Sequence, residues 1–313
     1  MSVGAACWNN YRLVFAVGQT YNLLAPIHFS KLESVEFLIE GNISLPRDIE
    51  VTEAVINNTH VYPGHWITVS SSQGVTVTGS KDLWAGWFLG HGELWWPMAN
   101  NRNNDARPHF FSFKVTSSRL RNVKVLDPVA DRFFFNTVEH GIDLSASDFV
   151  IDRWTSRNGG DVINVAPPAA DLTRRNAIAY GTHGVAVSCS SGTGSGSPFE
   201  NMMIYNSLIG ARFKGSLAAY ARNFRWENIV ATASEELRDG SCISGPCWSH
   251  TAGESPSKAL YILCKDANHC QDFHFENLAL FGAGGDLSVQ PGEMDCAGLE
   301  ASPGWGSCAP TQQ

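Results

Sequence analysis

The chain has 313 residues, enough for one large domain or two ordinary ones, and an all-β solenoid of this length can stand as one unit because each coil leans only on its neighbours. A formal net charge of −8 argues against nucleic acid as a partner, and an acidic polymer would need a local basic site to overcome general repulsion. No apolar run is long enough to span a membrane.

The start, Met1 to Trp8, lacks a basic flank and a long apolar core, so no signal peptide is read there. Arg12-Leu13-Val14-Phe15-Ala16-Val17-Gly18 is a short apolar strand ending at glycine. Gln19 to Leu23 and Val35 to Ile39 are further short strands. Residues 1–60 are expected to form an N-terminal cap with the first strands. Coils are expected over 61–285, and a Gly-, Pro- and Ser-rich tail or C-terminal cap over 286–313.

Within the coil region, segments such as Ile67-Thr68-Val69, Phe111-Ser112-Phe113-Lys114-Val115 and Phe149-Val150-Ile151 alternate apolar and polar, as half-buried strands do. Ile151, Ile178, Ile204 and Ile229 follow one another at 27, 26 and 25 residues, and Leu278 lies 49 further on, the length of two coils. Short strands repeating at 20–30 residues without a helical period predict a single-domain right-handed parallel β-helix. A β-sandwich is the rival fold, but sandwiches seldom repeat at constant spacing. Leucine-rich repeats need regular Leu and Asn positions that are absent.

The stretch Trp84 to Trp96 is rich in tryptophan and glycine; it reads either as a sugar-stacking surface or as packing beneath a loop. Cys242/Cys247, Cys264/Cys270 and Cys296/Cys308 lie in close pairs suited to disulfide-closed loops, with Cys7 and Cys189 left over. No Cys-x-x-Cys occurs, so neither a zinc site nor any other metal or cofactor is expected. The triplets Asn42-Ile43-Ser44 and Asn57-Asn58-Thr59 are glycosylation acceptors. Together with the cysteine spacing they point to an oxidising, extracellular compartment and a secreted monomer.

The segment from His140 to Lys214 carries the chemistry. Ile142 to Ile163 is 21 residues, Ile163 to Val185 is 22, and Ala211 follows 26 later. Stacked in register, His140, Asp161 and His183 form one column; Glu139, Gly160 and Thr182 form the column one position earlier. One position after the anchor the column reads Asp143, Asn164, Ala186, Arg212. Arg212 and Lys214 alternate onto one strand face, where they suit a carboxylate-bearing ligand. Each residue also has a bland role: Asp143 or Asp161 as a turn residue, His183 as a surface histidine, Arg212 and Lys214 as a solvated pair.

At these residues the chain resembles the polygalacturonases, family 28 of the glycoside hydrolases, with a pectin-lyase-like solenoid fold. Gly90-His91-Gly92-Glu93-Leu94-Trp95-Trp96 is similar to that family's Gly-rich segment. Asn158-Gly159-Gly160-Asp161-Val162-Ile163 is similar to Asn-Gly-Asp-Asp-Cys-Ile, Thr182-His183-Gly184-Val185 to Gly-His-Gly-Leu, and Arg212-Phe213-Lys214 to Arg-Ile-Lys. Leu263-Cys264 through Cys270-Gln271-Asp272-Phe273 looks like the late disulfide loop of exo-acting members. The resemblance implies hydrolysis of α-1,4-galacturonosidic bonds in pectin with inversion. It makes Asp161 a water-activating base, His183 the active-site histidine, and Arg212 with Lys214 the grip on the substrate carboxylate.

Departures accompany the match. Gly160 occupies the place of the general acid, His140 replaces an expected Asp, Val162 replaces Cys, and the region before residue 136 is short. Glu139, one rung from Gly160, is the candidate replacement acid. The expected function is therefore a pectin-directed hydrolase with impaired or altered catalysis, exo-acting by its late disulfide loop, with endo-cleavage left open. A non-catalytic galacturonan-binding pseudoenzyme is the alternative, and a lyase with Arg212 or Lys214 as base ranks below it.

Overall fold

The computed structural model describes residues 10–95, 108–129, 143–144, 147–157, 162–165, 170–182, 184–189, 192–195, 198–207, 209–215, 219–233, 258–263, 270–281 and 294–297. Its strands stack in parallel as a right-handed β-helix with three faces. The first face runs from Ile27–Ser30 through Ile67–Gln73, the start of Phe111–Leu126, Asp143–Leu144, Asn164–Val165, Val185–Cys189, Ile209–Gly215 and Lys258–Leu263 to Met294–Ala297. Arg12–Phe15 and Glu36–Ile39 begin the second face, and Thr20–Asn22 and Asn42–Ser44 begin the third. Coils therefore start at Arg12, ahead of the residue-61 boundary expected from spacing. The pairings are parallel throughout the described strands, which removes the sandwich alternative.

The core is a set of columns. On the second face the register links Val77, Leu120, Ile151, Arg174, Phe199, Trp226 and Phe275. Phe199 stacks on Trp226 (5.9 Å, 16°) and Trp226 on Phe275 (5.0 Å, 13°), offset geometry that adds to burial of large apolar area. Arg174 is fully buried in this column, its guanidinium 3.7 Å from the centre of the Phe199 ring, and burial pulls its pKa down to about 9.

The isoleucine spacing misassigns this column. Ile151 is interior on the second face, where its partner is Arg174. Ile178 pairs with Met203 on the third face and is 38% exposed, whereas Ile204 is interior beside Ala179. Ile229 pairs directly with Leu278, so the 49-residue interval is one long coil and not the two that the spacing suggested. Coil lengths vary, and isoleucine suits both sides of a pleated sheet, so equal spacing alone does not identify equivalent rungs.

The corners explain the residues between strands. Each corner needs a left-handed backbone step, a conformation open to glycine and cheapest otherwise for Asn or Asp. Between the second and third faces, Asn122, Arg153, Asn176, Asn201, Asn228 and Asn277 all have φ between 51° and 61°. Their side chains form a ladder: Asn277 donates to Asn228 (3.0 Å), Asn228 to Asn201 (3.1 Å) and Asn201 to Asn176 (3.2 Å), while Asn176 donates to Asp152 (2.8 Å). Between the first and second faces Ser34, Gly74, Ser117, Asp148 and Asp171 take the same conformation. Between the third and first faces it falls to Asp127, Gly181 and Asn206.

This last corner is where the chain departs for its excursions. The helix Ile49–Ile56 lies in one such loop; Asp48 caps it by accepting from the Val51 N–H at 3.1 Å. The short helix Gly92–Trp95 lies in the next. Of the acceptor triplets, Asn42 has its side-chain oxygen taken by the Trp87 N–H (2.9 Å), whereas Asn57 is exposed at the end of the helix.

Candidate functional site

The backbone register of the first face brings the sequence-predicted positions into line. Thr68 pairs with Ser112, Ser112 with Asp143, Asp143 with Asn164, Asn164 with Ala186, Ala186 with Arg212, and Arg212 with Tyr261. The positions of Arg212 and Lys214 are two apart on one strand and so share a face. Thr68 and Ser112 are covered, and Lys114, two positions on, is exposed.

Glu139, His140, Gly160, Asp161 and His183 lie outside the described residues. Their neighbours are in place. Val162 donates its backbone N–H to the Gly184 carbonyl at 3.0 Å, and Val162, Ile163 and Val185 are fully buried. The short loop bearing position 183 is braced from both sides. Gly181 and Gly184 take φ of 66° and 86°. The Thr182 hydroxyl accepts from the Gly184 N–H at 3.0 Å, and the Ser207 hydroxyl on the next coil donates to the Thr182 carbonyl at 2.8 Å. Thr182 and Ser207 are both buried. Sequence reasoning missed both residues; Thr182 was visible only as a member of a column.

A second titratable group lies on the same corner, read in the sequence only as part of the Gly-rich segment. His91 accepts or donates at Nε2 with the Ser44 hydroxyl (2.8 Å), and its Nδ1 lies 3.4 Å from Glu93. Burial lowers the His91 pKa, with Glu93 opposing it and Arg47 reinforcing it. Asp127, on the adjoining coil, is buried and ion-paired with Arg157 at 2.7 Å. Burial raises its carboxyl to about 6, and the nearby Glu93 charge also raises it, against the opposing pull of Arg157. The backbone packs tightly here: a Cβ on Gly90 would stand 2.3 Å from the Asp127 carbonyl oxygen and 2.4 Å from the Pro128 Cα. Glycine is thus required at position 90, where two coils touch.

The tryptophan-rich stretch does not form one surface. Trp84 is 88% exposed in the loop between the second and third faces, away from the first-face loops, and Trp95 is buried. The cysteine pairs fall wholly or partly outside the described residues. Among the described residues there is no group of three or more side chains that could hold a metal.

No family model matches the chain. It is 24% identical to the probable exopolygalacturonase C of Neosartorya fischeri, over 88% of this chain and 79% of that protein. The endo-xylogalacturonan hydrolase of Aspergillus tubingensis superposes with a TM-score of 0.55 at 16% identity, covering 98% of this chain and 93% of that one. An exopolygalacturonase from Thermotoga maritima superposes at 0.51 and 14% identity, covering 87% and 80%. The chain is related to the polygalacturonases. Against these relatives it is short internally: the alignment with the Neosartorya protein runs over 362 positions, more than the 313 residues present here. Arg212 and Lys214 lie on one strand of this frame, Ile209–Gly215.

Proposed function

We propose that the chain is an extracellular glycoside hydrolase that binds the galacturonan backbone of pectin along its first face and cleaves α-1,4-galacturonosidic bonds slowly, with inversion. The observation that carries this is the register column Asp143, Asn164, Ala186, Arg212, which stacks the motif-bearing coils on consecutive rungs of a polygalacturonase-related chain. Arg212 and Lys214 grip a sugar carboxylate, Arg with two prongs and Lys as a point charge. Asp161 activates the attacking water, and His183 serves as the active-site histidine that the resemblance implies. An inverting pair needs an acid about 6.5–9.5 Å from this base. Glu139 supplies it in place of Gly160, and His140 takes the position of a second water-activating carboxylate. A positioned general acid contributes about 10²–10⁴-fold, and a substitute placed one rung away recovers only part of it, which sets the expected slowness.

Gly160 itself favours the second reading, a galacturonan-binding protein that does not cut. Reducing-end release from polygalacturonate, measured beside a binding titration, separates the two. Release that is abolished in Asp161→Asn and Glu139→Gln supports the hydrolase. Binding without release supports the non-catalytic reading, and an unsaturated, ultraviolet-absorbing product would identify a lyase. A protein that neither binds nor cuts polygalacturonate sinks the proposal.

A further inference from the structure

The first face carries chemistry beyond the coils that the motifs mark. Position 183 lies three residues before Ala186, position 161 three before Asn164, and position 140 three before Asp143. Carried two coils toward the N-terminus, the same column holds His109, three before Ser112, and His65, three before Thr68. Both are described and half-buried, with ring centres 5.2 Å apart, the separation expected of neighbours on adjacent strands. The backbone confirms the rung: the Trp66 N–H donates to the His109 carbonyl at 2.7 Å. The Tyr62 hydroxyl accepts from the His109 N–H at 2.8 Å and so pins the strand entry.

The floor column repeats as well. Lys114 stands two residues beyond Ser112, as Lys214 stands two beyond Arg212, so both lysines occupy one column of the face. Four coil steps separate them, from Ser112 through Asp143, Asn164 and Ala186 to Arg212, which at about 4.8 Å per strand is about 19 Å along the helix axis. The coil of Ser112 thus offers a half-buried imidazole and an exposed ammonium across the face, donors that sugar hydroxyls and a carboxylate require. Net charge is −8, so a polyanion is held only where cations are placed locally.

We propose that His65, His109 and Lys114 form a distal subsite that holds a second carboxylate-bearing sugar of the same polysaccharide, several units along the chain from the sugar gripped at Arg212 and Lys214. The polymer then lies along the helix axis, and recognition is of an extended acidic chain rather than of one terminal unit. This rests on the galacturonan-binding reading above.

Calorimetric titration with digalacturonate and hexagalacturonate tests it, using Asp161→Asn as parent so that nothing is cut. The parent is expected to bind the hexamer at least about tenfold more tightly than the dimer, the gain from engaging a second linked site. In the His109→Gln/Lys114→Gln variant of that parent the preference falls to within about threefold. Equal thermal midpoints of parent and variant exclude misfolding, and Lys114→Gln alone, at an exposed position, must show part of the same loss. A length preference untouched by these substitutions overturns the subsite and leaves the galacturonan reading standing. A parent that binds neither oligomer overturns both.

Discussion

Replacing Asp127 by Asn should make the protein relatively more stable as the pH rises. In the fold this carboxyl titrates at about 6, against an ordinary 3.8, because burial outweighs the Arg157 partner. The folded state therefore holds the proton more tightly than the unfolded chain. The sign follows: native stability is favoured at low pH and is lost as the pH climbs from about 4 through 6. At about 1.4 kcal/mol per tenfold change in proton affinity, the displacement from 3.8 to about 6 corresponds to about 3 kcal/mol, an upper bound for the pH-dependent part. Asparagine cannot ionise and keeps the size of the side chain. The Arg157 pair forms only as Asp127 ionises and its pull is already contained in that displacement; with Arg157 48% exposed, losing it costs at most about 1 kcal/mol, at the high-pH end. Urea unfolding of parent and Asp127→Asn at about pH 4 and pH 7 measures the difference directly. The variant should gain about 1–3 kcal/mol on the parent between the two. A difference that stays constant, or that moves the other way, would refute the assignment of Asp127 as a carboxyl held neutral by burial.

Gly90→Ala should cost about 1–3 kcal/mol in chemical unfolding, because the new methyl meets backbone of the next coil at 2.3–2.4 Å and that backbone has no free rotor to yield. Asn201→Ala removes two rungs of the amide ladder and leaves a non-glycine residue at φ 55°; about 1–3 kcal/mol should be lost, whereas Asn201→Gly should lose less because only the hydrogen bonds go. Trp226→Ala should cost about 3–5 kcal/mol, since Trp226 is fully buried and stacked between Phe199 and Phe275 on adjacent coils; thermal and urea unfolding of the same variant should agree on this. If the tryptophan variant unfolded within 1 kcal/mol of the parent, the aromatic column would not be the support described.

The repeating fold was legible because parallel coils impose a period, and the column Asp143, Asn164, Ala186, Arg212 came out of counting alone. Counting succeeded there because each step is anchored by a fully buried residue such as Ile163 or Val185 just before the outward position. It failed for Ile178 and Ile204, which sit on opposite sides of the third face, since isoleucine packs on either side of a pleat. The asparagines would have been the better ruler: Asn176, Asn201 and Asn228 occupy one corner column, where only a few residue types accept the left-handed step. His91, Asp127, Thr182 and Ser207 were hidden for another reason. Their roles depend on burial and on partners one coil away, which no local motif encodes.

The left-handed corner columns have a consequence for how such a chain changes length. Among the described residues the corner between the second and third faces repeats the same left-handed step on coil after coil, so a whole turn excised between two such corners would leave cut ends that rejoin without a new kind of junction. What changes is phase: everything downstream slides one strand spacing, about 4.8 Å, toward everything upstream. In a molecule whose substrate lies along the stack, excision acts as a ruler adjustment. On the track proposed above it would reset the distance between Lys114 and the pair Arg212 and Lys214, and with it the number of sugars that fit between them.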